Sequence, residues 1–206
     1  MLSRVSADVR KPDPRVAVGT AVGHRGGMSA PPREIISAAA LARRVAELGA
    51  EIDRGLPAGP LTVVGVLRGA FIFMADLVRA IPRDLTCDFL GVRSYGDATV
   101  SSGVVEITSD LHAPIAGRHV LLVEDIADTG LTLRYLHDVL QARNPASIRV
   151  CVLLAKPSYA ASGGPAIDFV GFEAPDAYVV GYGLDARQLY RNLSHVAVLD
   201  DLPPPR

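Results

Sequence analysis

The chain has 206 residues, 49% of them apolar, which is enough for one sizeable domain with its own core and no need of cross-links. Basic and acidic residues number 21 and 22, for a formal net charge of −1, so the chain lacks the global field that would draw a nucleic acid, and any anion site must be local. Cys87 and Cys151 lie in apolar runs and read as buried structural thiols, while His24, His112, His119, His137 and His195 show no metal-ligand spacing, which excludes a disulfide framework and a clustered metal site of those ligands.

Residues 1–33 are rich in Gly, Pro and Arg and end in Ala30-Pro31-Pro32-Arg33, a composition that predicts a disordered N-terminal extension ahead of a single domain over residues 34–200. Met28 sits just before the first ordered element, so a start there is a second expectation, which mass spectrometry of native protein decides. The charged stretch from Arg4 to Asp13 lacks the apolar core of a secretory signal. The apolar run from Leu61 is interrupted by Arg68, far short of the ~20 residues that a membrane helix needs. A cytoplasmic protein without a membrane partner is expected.

From Glu34 to Arg54, Ile35, Leu41, Val45, Leu48 and Ile52 recur at helical spacing with Arg43, Arg44, Glu47 and Glu51 between them, predicting an amphipathic helix. β-rich and helical runs then alternate: Leu61 to Leu67, Ala70 to Ala80, Leu85 to Val92, His119 to Val123, Thr129 to Ala142 and Ile148 to Leu154. This alternation predicts an α/β fold with a parallel sheet flanked by helices. The strands at Leu61 and Ile148 are continuously apolar and therefore central, covered on both faces. The Gly- and Ser-rich stretch from Ser94 to Asp110, with one β-like run at Val104 to Thr108, predicts a mobile hairpin. Beyond Asp168, Phe169 to Phe172, Tyr178 to Val180 and Val196 to Leu199 are short and turn-broken, so they predict a small cap over the sheet.

Chemistry concentrates at residues 120–133, VLLVEDIADTGLTL. An apolar strand ends in Glu124-Asp125, Asp128-Thr129-Gly130 turns the chain, and Leu131-Thr132-Leu133 starts a helix. Backbone N–H groups at such a helix start, with the Thr129 and Thr132 hydroxyls, form a cradle for a terminal phosphate. In open α/β sheets ligands sit at the carboxyl ends of the strands, where this loop lies. Read plainly, Glu124 and Asp125 are solvated acids and Asp128 caps the helix from Thr129. That leaves two acids beside an anion cradle unexplained, unless they accept hydrogen bonds from a ribose diol. The chain matches neither the dinucleotide nor the P-loop glycine pattern.

This run resembles the phosphoribosyl pyrophosphate-binding motif of type I phosphoribosyltransferases, and from about Glu34 to Leu199 the chain resembles the hypoxanthine-guanine members of that family. The resemblance implies the type I fold, with a small cap or hood and a flexible lid hairpin. It implies that Glu124 and Asp125 bind the ribose, that Asp128, Thr129, Gly130, Leu131 and Thr132 bind the 5-phosphate, and that Asp128 is the catalytic base near purine N7. Gly65-Val66-Leu67-Arg68-Gly69-Ala70 resembles the pyrophosphate loop, with Arg68 and Gly69 on the pyrophosphate, a cis peptide before Arg68, and Arg191 on the same group. Many relatives have Lys where this chain has Arg68. Ser94 and Tyr95 resemble the start of the catalytic lid, whose closure excludes water.

Lys156 resembles the residue that donates to purine O6 and so selects 6-oxopurines. Relatives often carry more basic residues where this chain has Ser158-Tyr159-Ala160-Ala161. In the segment Pro175 to Asp185, Tyr178 is implied to stack on the purine and Val179 and Asp185 to read its edge. Asp185, with Glu124 and Asp125, is the implied ligand set for Mg²⁺. The substrates implied are phosphoribosyl pyrophosphate and hypoxanthine or guanine, the products IMP or GMP and pyrophosphate, and the assembly a homo-oligomer, dimer or tetramer. Two alternatives stand beside this: a phosphoribosyltransferase for another base, xanthine or a pyrimidine, and an RNA-binding regulator on the same fold.

Overall fold

A computed structural model of the chain describes residues 31–95 and 104–200. Most of the expected N-terminal extension, with Met28, and the tip of the expected lid hairpin lie outside the described residues.

Among the described residues, nine strands and three helices follow one another as β1 (Arg33–Ile36), α1 (Ala38–Gly55), β2 (Leu61–Leu67), α2 (Phe71–Ala80), β3 (Thr86–Tyr95), β4 (Val104–Ser109), β5 (His119–Ala127), α3 (Leu131–Gln141), β6 (Ser147–Ala155), β7 (Phe169–Glu173), β8 (Tyr178–Val180) and β9 (Val196–Leu199). A 3-10 turn, Pro157–Ala161, follows β6. The main sheet has the order β4-β3-β2-β5-β6-β7, parallel throughout except for the antiparallel β3–β4 pair.

The two faces of the main sheet are read from alternate residues, as the period of two requires. Leu61 and Val63, Leu121 and Val123, and Cys151 and Leu153 face the layer of α1 and α2. Val64 and Val66, Val120 and Leu122, and Val150 and Val152 face α3, where Leu133, Leu136 and Leu140 meet them. A strand buried on both faces shows no polar alternation, which is why β2 and β6 read as apolar runs.

Several boundaries differ from expectation. Arg33 to Ile36 is a strand rather than part of an extension and a helix, pairing antiparallel with β9. The helix starts only after Ser37, whose side chain accepts the Ala40 N–H at 3.2 Å. This is an ordinary N-cap, and it ends the strand where the helix begins. β7 belongs to the main sheet, parallel to β6, and α1 is fastened to it by Arg44, which donates to the carbonyls of Val170 and Gly171 while pairing with Glu51. The cap is thus β1-β9-β8 alone. Cys87 is exposed, while Cys151 is buried, and burial pushes the Cys151 thiol far up. Among the described residues, no helix is long and apolar enough to cross a membrane.

Candidate active site

The parallel strands β2, β5 and β6 end at Leu67, Ala127 and Ala155 on one edge of the sheet, so Arg68, Asp128 and Lys156 gather there. Three adjoining cavities open along this edge, and Asp125 lines all three.

The first, about 210 Å³, lies over the start of α3 and is lined by Asp125, Asp128, Thr129, Gly130 and Thr132. β5 runs four residues beyond its expected end at Val123, so Glu124 and Asp125 lie within the strand and not past it. The helix begins at Leu131, and its N-cap is Gly130, at φ +73° and without a side-chain cap. Only a residue without Cβ fits here, since a Cβ would also press on the Ser162 hydroxyl. Asp128 is therefore not the cap. The first N–H groups of the helix lack intrahelical acceptors and remain for an anion. Leu131 is exposed and does not line this cavity.

The second cavity, about 220 Å³, is lined by Asp128, Lys156, Tyr178, Val179 and Asp185. The Lys156 ammonium donates to Asp128 Oδ2 at 2.9 Å, and Ser158 Oγ donates to Oδ1 at 3.3 Å. Lys156 is anchored by its own N–H on the Ala127 carbonyl. Tyr178 stands at the mouth, with an exposed ring. Burial and then the charge of Asp185 push its phenol up, so it is neutral at physiological pH.

The third cavity, about 530 Å³, is lined by Arg68, Gly69, Arg93, Glu124, Asp125, Asp185, Gln188 and Arg191. The Leu67–Arg68 peptide is cis. Asp125 is packed so tightly over Gly69 that any Cβ at residue 69 would overlap its carboxylate. Asp185 pairs with Arg191 and accepts the Gln188 N–H at 2.6 Å. Arg191 also donates to the Gly183 carbonyl. The 181–191 loop that carries these groups is tied to α2 by the Tyr182 hydroxyl, which donates to Asp76.

Glu124 and Asp125 titrate as a pair. Burial, then the neighbouring charge of Asp125, pushes Glu124 well up. Burial also raises Asp125, against the Glu124 hydrogen bond, backbone N–H groups and Arg191. Glu124 Oε2 is buried with no hydrogen-bond partner. Such an orphan acceptor is costly unless a ligand meets it.

Ser94 and Tyr95 end β3, and the hairpin tip beyond them lies outside the described residues. Three lining or contacting residues carried no sequence signal that the motifs exposed: Arg93, Ser158 and Gln188. Arg93 directly follows the apolar run expected at Leu85 to Val92, but β3 continues past it to Tyr95. Gln188 had no such mark.

Residues 33–187 match the model of the phosphoribosyl transferase domain. The chain is 48% identical over 165 residues to the hypoxanthine-guanine phosphoribosyltransferase of Bacillus subtilis, covering 80% of this chain and 91% of that one. It is 47% identical over 172 residues to the enzyme of the same name from Mycobacterium tuberculosis, covering 81% and 85%. Among solved structures, a hypoxanthine phosphoribosyltransferase from Staphylococcus aureus superposes with a TM-score of 0.76 at 38% identity, covering 82% of this chain and 91% of that one. The Trypanosoma cruzi enzyme in complex with the product IMP gives 0.71 at 37% identity, covering 81% and 93%.

Proposed function

The chain belongs to the phosphoribosyl transferase family, and from that premise we propose that it transfers the 5-phosphoribosyl group of phosphoribosyl pyrophosphate to N9 of hypoxanthine or guanine, giving IMP or GMP and pyrophosphate, a purine salvage reaction. The observation that carries this is the near-half identity to hypoxanthine-guanine enzymes along four fifths of the chain. The three cavities supply the chemistry. The cradle at α3 takes the 5-phosphate, Glu124 and Asp125 take the ribose hydroxyls, the Lys156 cavity takes the base, and the Arg68 cavity takes the pyrophosphate.

The base displaces pyrophosphate at C1 through a transition state of oxocarbenium character, in which a cationic sugar and a departing polyanion must be stabilised together. Arg68, Gly69 and Arg191 serve the polyanion. Lys156 donates to O6, Tyr178 stacks, and Val179 and Asp185 border the base. Asp128, held by Lys156 and Ser158, manages the proton of purine N7. Such proton transfer is worth ~10²–10⁴-fold in rate, so Asp128→Asn is expected to lower kcat by that order with substrate binding intact. Near-normal turnover would sink the role.

The donor set also suits Mg²⁺. Among the described residues, no three His, Cys, Asp or Glu side chains gather closely enough to hold a metal unaided. Mg²⁺ is commonly held by one or two carboxylates together with waters and substrate phosphates. We propose Asp185, Glu124 and Asp125 as the acids that would hold it; Glu124 Oε2, buried without a partner, supports this. When bound, the ion would neutralise charge on the leaving pyrophosphate. A homo-oligomer, dimer or tetramer, is part of the same reading, supported by the exposed apolar side chains of Phe71, Leu131 and Tyr135 and measurable by light scattering.

The deciding experiment supplies phosphoribosyl pyrophosphate with hypoxanthine, guanine, xanthine, adenine or uracil in turn and measures pyrophosphate release. Turnover is expected with the first two. Turnover with none of the five would overturn the enzyme reading.

A further inference from the structure

We propose that Gln188 is a positioning residue of the pyrophosphate pocket, a neutral bridge that holds the guanidiniums of Arg68 and Arg191 together and yields to the diphosphate when it arrives. The inference rests on the reading of the Arg68 cavity as the pyrophosphate site.

Three observations carry it. Gln188 Oε1 accepts from Arg68 at 3.1 Å, and the second guanidinium, that of Arg191, stands 3.5 Å away. The two cations come from segments 123 residues apart in the numbering, and this one carbonyl oxygen is what they share. The backbone around it is built for the purpose. Ala186 and Leu189 exchange hydrogen bonds across a two-residue turn, whose central residues Arg187 and Gln188 both have positive φ, +51° and +68°. A turn of this hand favours Asn or Gly at its centre, and a residue without that preference persists where its side chain is needed. The turn is also locked to the site itself, because the Gln188 N–H donates to Asp185 Oδ2 at 2.6 Å.

The chemistry of the amide decides the role. A carboxylate at residue 188 would form ion pairs with both guanidiniums and cancel the charge that a diphosphate must find. An amide oxygen offers only partial negative charge, so it orients the guanidiniums without neutralising them. A diphosphate oxygen is the stronger acceptor and displaces it.

The test titrates inorganic pyrophosphate, with magnesium present, into wild-type protein, Gln188→Glu and Gln188→Met by calorimetry at low and high salt, with steady-state kinetics in parallel. Gln188 is exposed, and melting curves check that both variants fold. Gln188→Glu is expected to weaken pyrophosphate by about tenfold, from two partly exposed ion pairs that compete with the ligand, with most of that loss removed at high salt. Gln188→Met, which keeps the shape and loses the bridge, is expected to weaken it by about threefold without a salt-dependent component. In both, the KM for phosphoribosyl pyrophosphate rises while kcat stays within about twofold, as a loss of uniform binding requires. Equal or tighter binding by Gln188→Glu overturns the inference, as does a fall in kcat at unchanged KM. Wild-type protein that neither binds pyrophosphate nor turns over brings down the underlying reading of the cavity instead, and this inference with it.

Discussion

A methyl group on residue 69 would overlap the Asp125 carboxylate, and that carboxylate is the wall shared by all three cavities. Gly69→Ala therefore has to move either the Arg68–Gly69 loop or Asp125, and misplacement of about 1 Å in a reacting site costs ~100-fold in rate. We expect kcat/KM for phosphoribosyl pyrophosphate to fall by about that factor in steady-state assays while the circular dichroism spectrum is unchanged; activity within about threefold of wild type would show that the tight packing is without consequence. Lys156 is the second residue with a separable effect. Replacing it with Met removes the donor proposed to face O6 and frees Asp128 on one side, so the KM for hypoxanthine should rise by about tenfold or more. The KM for phosphoribosyl pyrophosphate should hardly change, and a Lys156→Met variant in which both constants move together would remove Lys156 from the base cavity. These residues were legible because each follows an apolar strand, and parallel strands deliver whatever follows them to one edge. Ser158 and Gln188 were not, since a hydroxyl in a turn and an amide in a loop have no period, and only the folded chain brings them to Asp128 and Arg68.

At the scale of elements, the length and continuity of an apolar run governed what could be read. β2 reads as Leu61–Leu67 in sequence and structure alike, because a nearly continuous apolar run, broken only by the buried Thr62, stops at the exposed Arg68. β1 was misread as helix because Ile35 happens to continue the spacing of Leu41, Val45 and Leu48, and the competing information, its pairing with Ala197 and Val198, lies more than 160 positions away. β7 was misplaced for a similar reason, being too short to announce parallel pairing with β6. The end of β4 carries another long-range tie that no pattern announces. The buried Asp88 carboxylate of β3 accepts from the backbone N–H groups of Phe89, His112 and Ala113 and sits 3.1 Å from His112 Nδ1, fastening the loop after β4. Burial pushes this carboxyl up, but the His112 and backbone hydrogen bonds outweigh it and hold the group below the usual range. A carboxyl whose folded value lies below its unfolded value stabilises the protein above about pH 4 and loses that contribution as the pH falls through the folded value. Asp88→Asn, which turns one acceptor into an NH₂ facing backbone donors, should cost about 1–3 kcal/mol at neutral pH in urea melts. Its stability should also fall less steeply in acid than that of the wild type; parallel acid profiles for the two proteins would remove Asp88 from the account.

Taken as a whole, the molecule builds its Lys156 cavity, the one proposed for the base, from two sheets that are far apart in connectivity. Asp128 and Lys156 follow strands of the main sheet, whereas Tyr178 and Val179 belong to the cap and Asp185 to the loop between β8 and β9. The two sheets are held together by one apolar cluster in which Val179, Tyr182, Leu184, Val196 and Val198 pack with the layer of α1 and α2, and by the Tyr182–Asp76 hydrogen bond. If the proposed nucleotide spans the α3 start and the Lys156 cavity, it contacts both sheets at once, and such a ligand has no site on the unfolded chain. At a hundred times its dissociation constant it should stabilise the folded state by about 2.7 kcal/mol, which for a chain of this size is a rise in melting temperature of about 5–10 °C. IMP should give that shift. AMP has the same ribose phosphate but presents an amino group where IMP presents a carbonyl, so the Lys156 ammonium faces a donor instead of an acceptor, and its shift at equal concentration should be less than half as large. Differential scanning fluorimetry with the two nucleotides separates the contributions: equal shifts would leave the phosphate cradle standing and remove Lys156 as the selector of 6-oxopurines, whereas no shift with either would deny that the two sheets form a nucleotide site together.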